Sequence, residues 1–173
     1  MMESLRILHI EDQPYDAELI QAQLVAQGVS CTVQWVTDRA SFLTALEQGS
    51  IDLILSDFEM PGFSGLAALV LAREKQPDLP FIFVWGAIGE ERAIESLKQG
   101  ATDYVLKERL SRLGLAVRRA AQEATDRAER QRAEETLKRS ESYFRALVEH
   151  TSDLIVIVES PATIRYISPS VRQ

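Results

Sequence analysis

The chain of 173 residues has one cysteine, Cys31, so no intramolecular disulfide can form. Because Cys31 lies in a strand-like run, a buried and inert thiol is expected. Nowhere does an apolar run approach the roughly 18 residues of a membrane span, and the first residues lack the apolar core of a secretory leader. A cytoplasmic protein with no membrane segment is the expectation. Basic excess is missing as well: residues 1–107 carry 7 basic and 16 acidic side chains, a net of −9 within an overall −7. Such a surface argues against nucleic acid as a partner. Residues 108–150 carry 10 basic and 8 acidic side chains, and 151–173 balance.

What is present is enough apolar material for a core, 46% of the residues. It is distributed in a repeating pattern. Arg6-Ile7-Leu8-His9-Ile10 reads as a short strand ending at Glu11-Asp12, and Pro14 opens a helix that runs to about Gln27 and stops at Gly28. Cys31–Val36 alternates as a strand does, followed by a helix from near Asp38 to Gln48. Leu53-Ile54-Leu55-Ser56 is an apolar run that breaks off at Asp57, with Pro61 and Gly62 enforcing a tight exit before a helix over about Ser64–Lys75. Pro80–Trp85 is apolar throughout, as in a strand covered on both faces, and a helix over about Glu90–Gln99 follows. The fifth strand is Asp103-Tyr104-Val105-Leu106, ending at Lys107. Strands alternating with helices imply right-handed crossovers and an α/β fold, a doubly wound five-stranded parallel sheet.

From about Ser111 to Ser140 there is no proline and only one glycine, Gly114, while Ala, Arg, Glu and Gln dominate. One long C-terminal helix is expected, a linker over 111–140 that begins as the last helix of a domain spanning 1–125. Its apolar positions follow a heptad only roughly. A parallel pairing of two such helices into a homodimer and a solvated single helix rich in i,i+4 ion pairs are both consistent with the pattern. Past it, Tyr143–Val148 continues helically, and Leu154–Val158 and Ile164–Ser168 read as two strands around Ser160-Pro161-Ala162. A lone hairpin is marginal, so 141–173 reads as the start of a further, incomplete domain.

In an open α/β sheet, ligands gather at the carboxyl ends of the strands. Those ends carry Glu11-Asp12, Asp57 and Lys107. An adjacent acidic pair repels itself and calls for a cation nearby. Three carboxylates with open positions suit Mg²⁺ completed by a phosphate. A carboxylate can also attack phosphorus, with a metal and a lysine neutralising the transferring oxygens. Asp57 alone would equally serve as a cap for the following turn. His9, inside its strand, reads as structural.

In the order and placement of the acidic pair, the Asp57-Phe58-Glu59-Met60-Pro61-Gly62 segment and the late lysine, residues 4–125 resemble the receiver domain of two-component response regulators. That resemblance implies a flavodoxin-like strand order 2-1-3-4-5 and a phosphorelay partner, a sensor histidine kinase or phosphotransfer protein. It implies Asp57 as phosphoacceptor, Asp12 as a direct Mg²⁺ ligand, Glu11 as a ligand through water, Glu59 contributing its backbone carbonyl, Lys107 binding phosphate, and Tyr104 as the aromatic that swings inward. The tail is similar to the start of a PAS sensor domain, which suggests an output region such as a histidine kinase or diguanylate cyclase. His150, followed by Thr151-Ser152, does not match a phosphorylated histidine motif.

Two departures stand out. Receivers end the fourth strand with Ser or Thr, whose hydroxyl donates to the phosphoryl group; here it is Trp85, with one indole N–H and far more bulk. Either Trp85 packs inward or over the site and phosphorylation survives, or the receiver is degenerate and acts as a docking or dimerisation module. Lys107 is followed by Glu108 where proline is usual. Asp57-Phe58-Glu59 is also similar to the Asp-x-Asp of haloacid dehalogenase hydrolases, but those place the nucleophile on the first strand of a larger domain.

Overall fold

The computed structural model describes residues 4–86, 95–150, 156–159 and 163–167. Its first compact unit reaches Asp126. Five strands, β1 (Leu5–Ile10), β2 (Cys31–Val36), β3 (Leu53–Ser56), β4 (Phe81–Trp85) and β5 (Asp103–Leu106), form one sheet in the order β2-β1-β3-β4-β5. Every pairing is parallel. Helices α1 (Pro14–Ala26), α2 (Arg39–Gln48) and α3 (Gly65–Lys75) connect the first four strands, and α4 (Leu113–His150) follows β5 through a 3-10 segment, Lys107–Arg112. Of the expected helix over Glu90–Gln99, residues 90–94 lie outside the described residues and 95–98 are helical.

Strand periodicity divides the core in two. Leu8, Ile10, Ile54, Phe83 and Trp85 face one side with Phe42 of α2 and Leu69 of α3. Ile7, Leu53, Leu55, Ile82 and Val84 face the other, against α1 and the first turns of α4. A slip of one residue in any of these strands would exchange its two faces, so the register is firmly specified. Cys31 is half-buried rather than buried, because β2 is an edge strand; burial nonetheless pushes its thiol up.

Two local devices fix the geometry that the site depends on. The first turn of α3 lies so close to the end of β3 that a Cβ on Gly65 would run into the Asp57 carbonyl oxygen and the Phe83 ring. Gly65 is therefore required by close approach, and its N–H donates to the Phe58 carbonyl at 3.0 Å. The second device is Gln27, just past α1. Its side-chain amide donates to the Leu110 carbonyl and accepts from the Gly114 N–H, both at 2.7 Å, tying down the start of α4. A Cβ on Gly114 would meet the Gln27 side chain at 2.8 Å, which explains the one glycine in that stretch.

The second compact unit, from Arg127, holds the rest of α4 and a hairpin, β6 (Val156–Glu159) antiparallel to β7 (Thr163–Ile167). The helix continues to His150, taking in Tyr143–Val148, where a helical continuation was expected, because nothing from Ser140 to His150 breaks it. Residues 154–155, 160–162 and 168, which complete the expected hairpin, lie outside the described residues. No helix among the described residues is long and apolar enough to cross a membrane.

Candidate functional site

The carboxyl ends of β1, β3 and β5 bring Glu11, Asp57 and Lys107 together. Parallel pairing of β1 with β3 puts Ile10 opposite Ser56, so the next residue of each strand emerges at the same edge. The Asp57 N–H donates to the Ile10 carbonyl at 2.9 Å, which fixes the two loops to each other. Glu11, Asp12 and Asp57 each offer an oxygen within 4.8 Å of the others. Hard oxygen donors grouped in this way suit Mg²⁺.

Lys107 lies against this group, with its Nζ 3.0 Å from Glu11 Oε2, 2.9 Å from Asp57 Oδ2 and 2.5 Å from Asp16 Oδ2. It is the cation that the acidic pair called for. The other Asp57 oxygen accepts from the Phe58 N–H at 2.5 Å, and Glu11 Oε1 accepts from the Gln13 N–H at 3.1 Å. Glu11 has no exposed side-chain surface, whereas 13% of that of Asp57 remains open. Burial pushes the Glu11 carboxyl up to about 7, against the pull of Lys107 and the Gln13 N–H. Burial also draws the Lys107 ammonium down, but the carboxylates, Asp16 foremost, outweigh it and hold the lysine above its ordinary range.

His9 is fully buried between Trp35 and Leu55 in the sheet, and neither ring nitrogen has a hydrogen-bond partner among the described residues. Burial, helped by Lys107 and opposed by Asp16, lowers its pKa from 6.5 to about 4. The unfolded chain therefore takes a proton near pH 6.5 that the folded protein refuses until about pH 4, and stability from this source falls as pH drops through that window. Glu11 has the opposite sign: its proton is held in the folded state up to about 7, so its contribution falls as pH rises from 4.5. Comparing His9→Leu with the parent isolates the histidine. The variant's stability advantage should grow by about 3 kcal/mol between pH 7 and pH 4, read by urea unfolding at each pH. A difference that does not change with pH would show that His9 does not titrate in this way.

Trp85 packs inward and not over the acidic site. It is 1% exposed, stacked on Phe83 at 5.5 Å and 12°, edge-on to Phe58 at 4.8 Å, and beside Tyr104 at 5.8 Å. Its indole N–H has no hydrogen-bond partner among the described residues. Tyr104 is partly buried against the same core. Glu59, in the turn after β3, has an exposed side chain and stands apart from the three gathered carboxylates.

Two groups escaped the sequence reading. Asp16 lies one helical turn before Ile20 and two before Leu24, both buried, and an acid leading an apolar stripe was its legible signal. Trp35 closes the edge of the site by donating from its indole N–H to the Glu11 carbonyl at 2.7 Å. Nothing in the local sequence announces that bond.

The profile of the response regulator receiver domain matches residues 7–118. The DNA-binding transcriptional regulator NtrC of Escherichia coli (strain K12) is 32% identical over 98 residues, covering 57% of this chain and 20% of that protein. The transcriptional regulatory protein DltR of Streptococcus agalactiae (strain NEM316) is 34% identical over 122 residues, 68% of this chain and 54% of that protein. The chain thus spans a fifth to about half of these relatives. Among solved structures, the receiver domain of NtrX from Brucella abortus superposes with a TM-score of 0.61 at 27% identity, covering 67% of this chain and 98% of that one.

Proposed function

The chain belongs to the response regulator receiver domain family, and from that premise we propose that it is a phosphoacceptor module that takes a phosphoryl group on Asp57 from a histidine kinase or phosphotransfer protein. Receivers are signalling modules and not enzymes, and they generally bind Mg²⁺ at an acidic pocket. The observation that carries the proposal is the convergence of Glu11, Asp12, Asp57 and Lys107 at one sheet edge, with the bulk of Trp85 directed away from it.

In this reading an Asp57 carboxylate oxygen bonds to the phosphorus of a phosphohistidine as the P–N bond breaks. The electron pair leaves with the imidazole, which takes a proton from solvent. Mg²⁺, held by Asp12 and Asp57 with Glu11 acting through water and Glu59 through its main-chain carbonyl, would neutralise charge on the transferring oxygens. Lys107 supplies a second positive charge beside Asp57. Glu11 and Asp57 are both tied to Lys107 in the free site, so some of these bonds exchange when a phosphoryl group arrives.

The read-out must differ from that of receivers with a hydroxyl at the end of β4. Trp85 has no hydroxyl to draw toward a phosphoryl group, and its indole occupies the core beside Tyr104. That packing also favours a second reading, a degenerate receiver serving as a docking or dimerisation module. Under the first reading the signal passes through α4 toward the PAS-like segment. Exposed Leu137 and Phe144, one heptad apart, support pairing of two copies through that helix. Intact-mass spectrometry after incubation with acetyl phosphate and Mg²⁺ separates the readings. One phosphoryl adduct per chain supports the phosphoacceptor; a chain that stays unmodified is the docking module.

A further inference from the structure

Lys107 directs its three N–H donors at three carboxylates, and these are not equivalent. Glu11 and Asp57 belong to the group that can hold a cation, whereas Asp16 stands outside it. The Asp16 contact, at 2.5 Å, is the shortest of the three. Asp16 is in the first turn of α1, where free backbone N–H groups favour a carboxylate, and Pro14 at the start of that turn fixes the backbone ahead of it. It is therefore an anchor on a rigid element, with 27% of its side chain open to solvent.

A divalent cation at Glu11, Asp12 and Asp57 would compete for the oxygens that bind Lys107 and would repel the ammonium directly. Phosphorylation then turns one Asp57 oxygen from an anion into part of an acyl phosphate. Both events weaken two of the three contacts. A lysine on a flexible four-carbon stem would leave for solvent if nothing else held it. We infer that Asp16 is a positioning residue for Lys107, keeping its ammonium at the edge of the site while Glu11 and Asp57 turn to a cation and a phosphoryl group. This rests on the phosphoacceptor reading and deepens it. The anchor reaches the lysine from α1, across 91 residues of sequence, and acts on phosphoryl transfer only through Lys107.

Two measurements test the assignment. In the first, reductive methylation of Lys107 is followed by peptide mass spectrometry with and without saturating Mg²⁺, in the parent, Asp16→Ala and Asp16→Asn. The parent lysine should stay protected when Mg²⁺ is added. Asp16→Ala should label several-fold faster, more so with Mg²⁺, and Asp16→Asn, which keeps an acceptor, should fall between. In the second, the rate of phosphorylation by acetyl phosphate is compared in a cycle with Lys107→Ala. Asp16→Ala should slow the parent about ten-fold, the scale of one hydrogen bond between charged groups, and should add nothing in the Lys107→Ala background. Equal labelling in parent and Asp16→Ala, or an Asp16→Ala effect that persists without Lys107, would overturn the inference. If the parent takes no phosphoryl group, the phosphoacceptor reading fails, and the labelling comparison still decides whether Asp16 holds Lys107.

Discussion

Asp57→Asn is expected to take up no phosphoryl group from acetyl phosphate under conditions that load the parent chain, a complete loss read directly from intact mass. An amide has no anionic oxygen to offer phosphorus, yet it matches the carboxylate in shape, so the fold should be retained. Its carbonyl oxygen can still accept from the Phe58 N–H or from Lys107, whose other contacts to Glu11 and Asp16 remain. Removing the Asp57 charge also relieves its repulsion of Glu11, one of the effects that raises that carboxyl. The Glu11 titration should therefore move down in the variant, measurable by NMR. A phosphoryl adduct on the Asn protein would mean that another carboxylate is the acceptor and that the assignment of Asp57 is wrong.

Trp85→Ser should be strongly destabilising. Trp85 is among the largest fully buried side chains and touches three aromatic rings, Phe58, Phe83 and Tyr104. Deleting its rings leaves a cavity and costs about 3–5 kcal/mol. The indole N–H, without a partner among the described residues, partly offsets this, since its removal ends the burial of that donor. Trp85→Phe should be much milder, keeping a ring on Phe83 and losing the donor. Urea midpoints at constant slope report both; a Ser variant within about 1 kcal/mol of the parent would show that the indole adds little to the core. The Ser protein, if it stays folded, also restores a hydroxyl at the end of β4. A phosphoryl adduct on it but not on the parent would identify the tryptophan as the group that disables the site.

The fold was legible because each strand and helix announces itself by a short apolar run or a stripe closed by Gly or Pro, and the alternation leaves few topologies. Asp57 and Lys107 were legible because they end strands, and a strand end is a place as well as a sequence position. Side-chain direction was not. Nothing in Phe81–Trp85, apolar throughout, says which residues face α3 and which face α1, so the orientation of Trp85 stayed open until the sheet register settled it. Asp16 and Gln27 act across 91 and 87 residues of sequence, and pairings that distant leave no local periodicity to read.

The two-sided core also sets a timetable for synthesis. The face of the sheet that α1 covers is completed only by Leu113, Val117 and Ala120 at the start of α4. A ribosome adding about 5–20 residues per second takes roughly 6–20 s to go from β1 to that point. Over that interval Ile7, then Leu53 and Ile82 as they are made, have only the α1 part of their cover, and Gln27 lacks the helix end it grips. Fragments that stop before Leu113 should therefore be clients of chaperones, and the helix that leaves the domain is also the last piece that lets it fold.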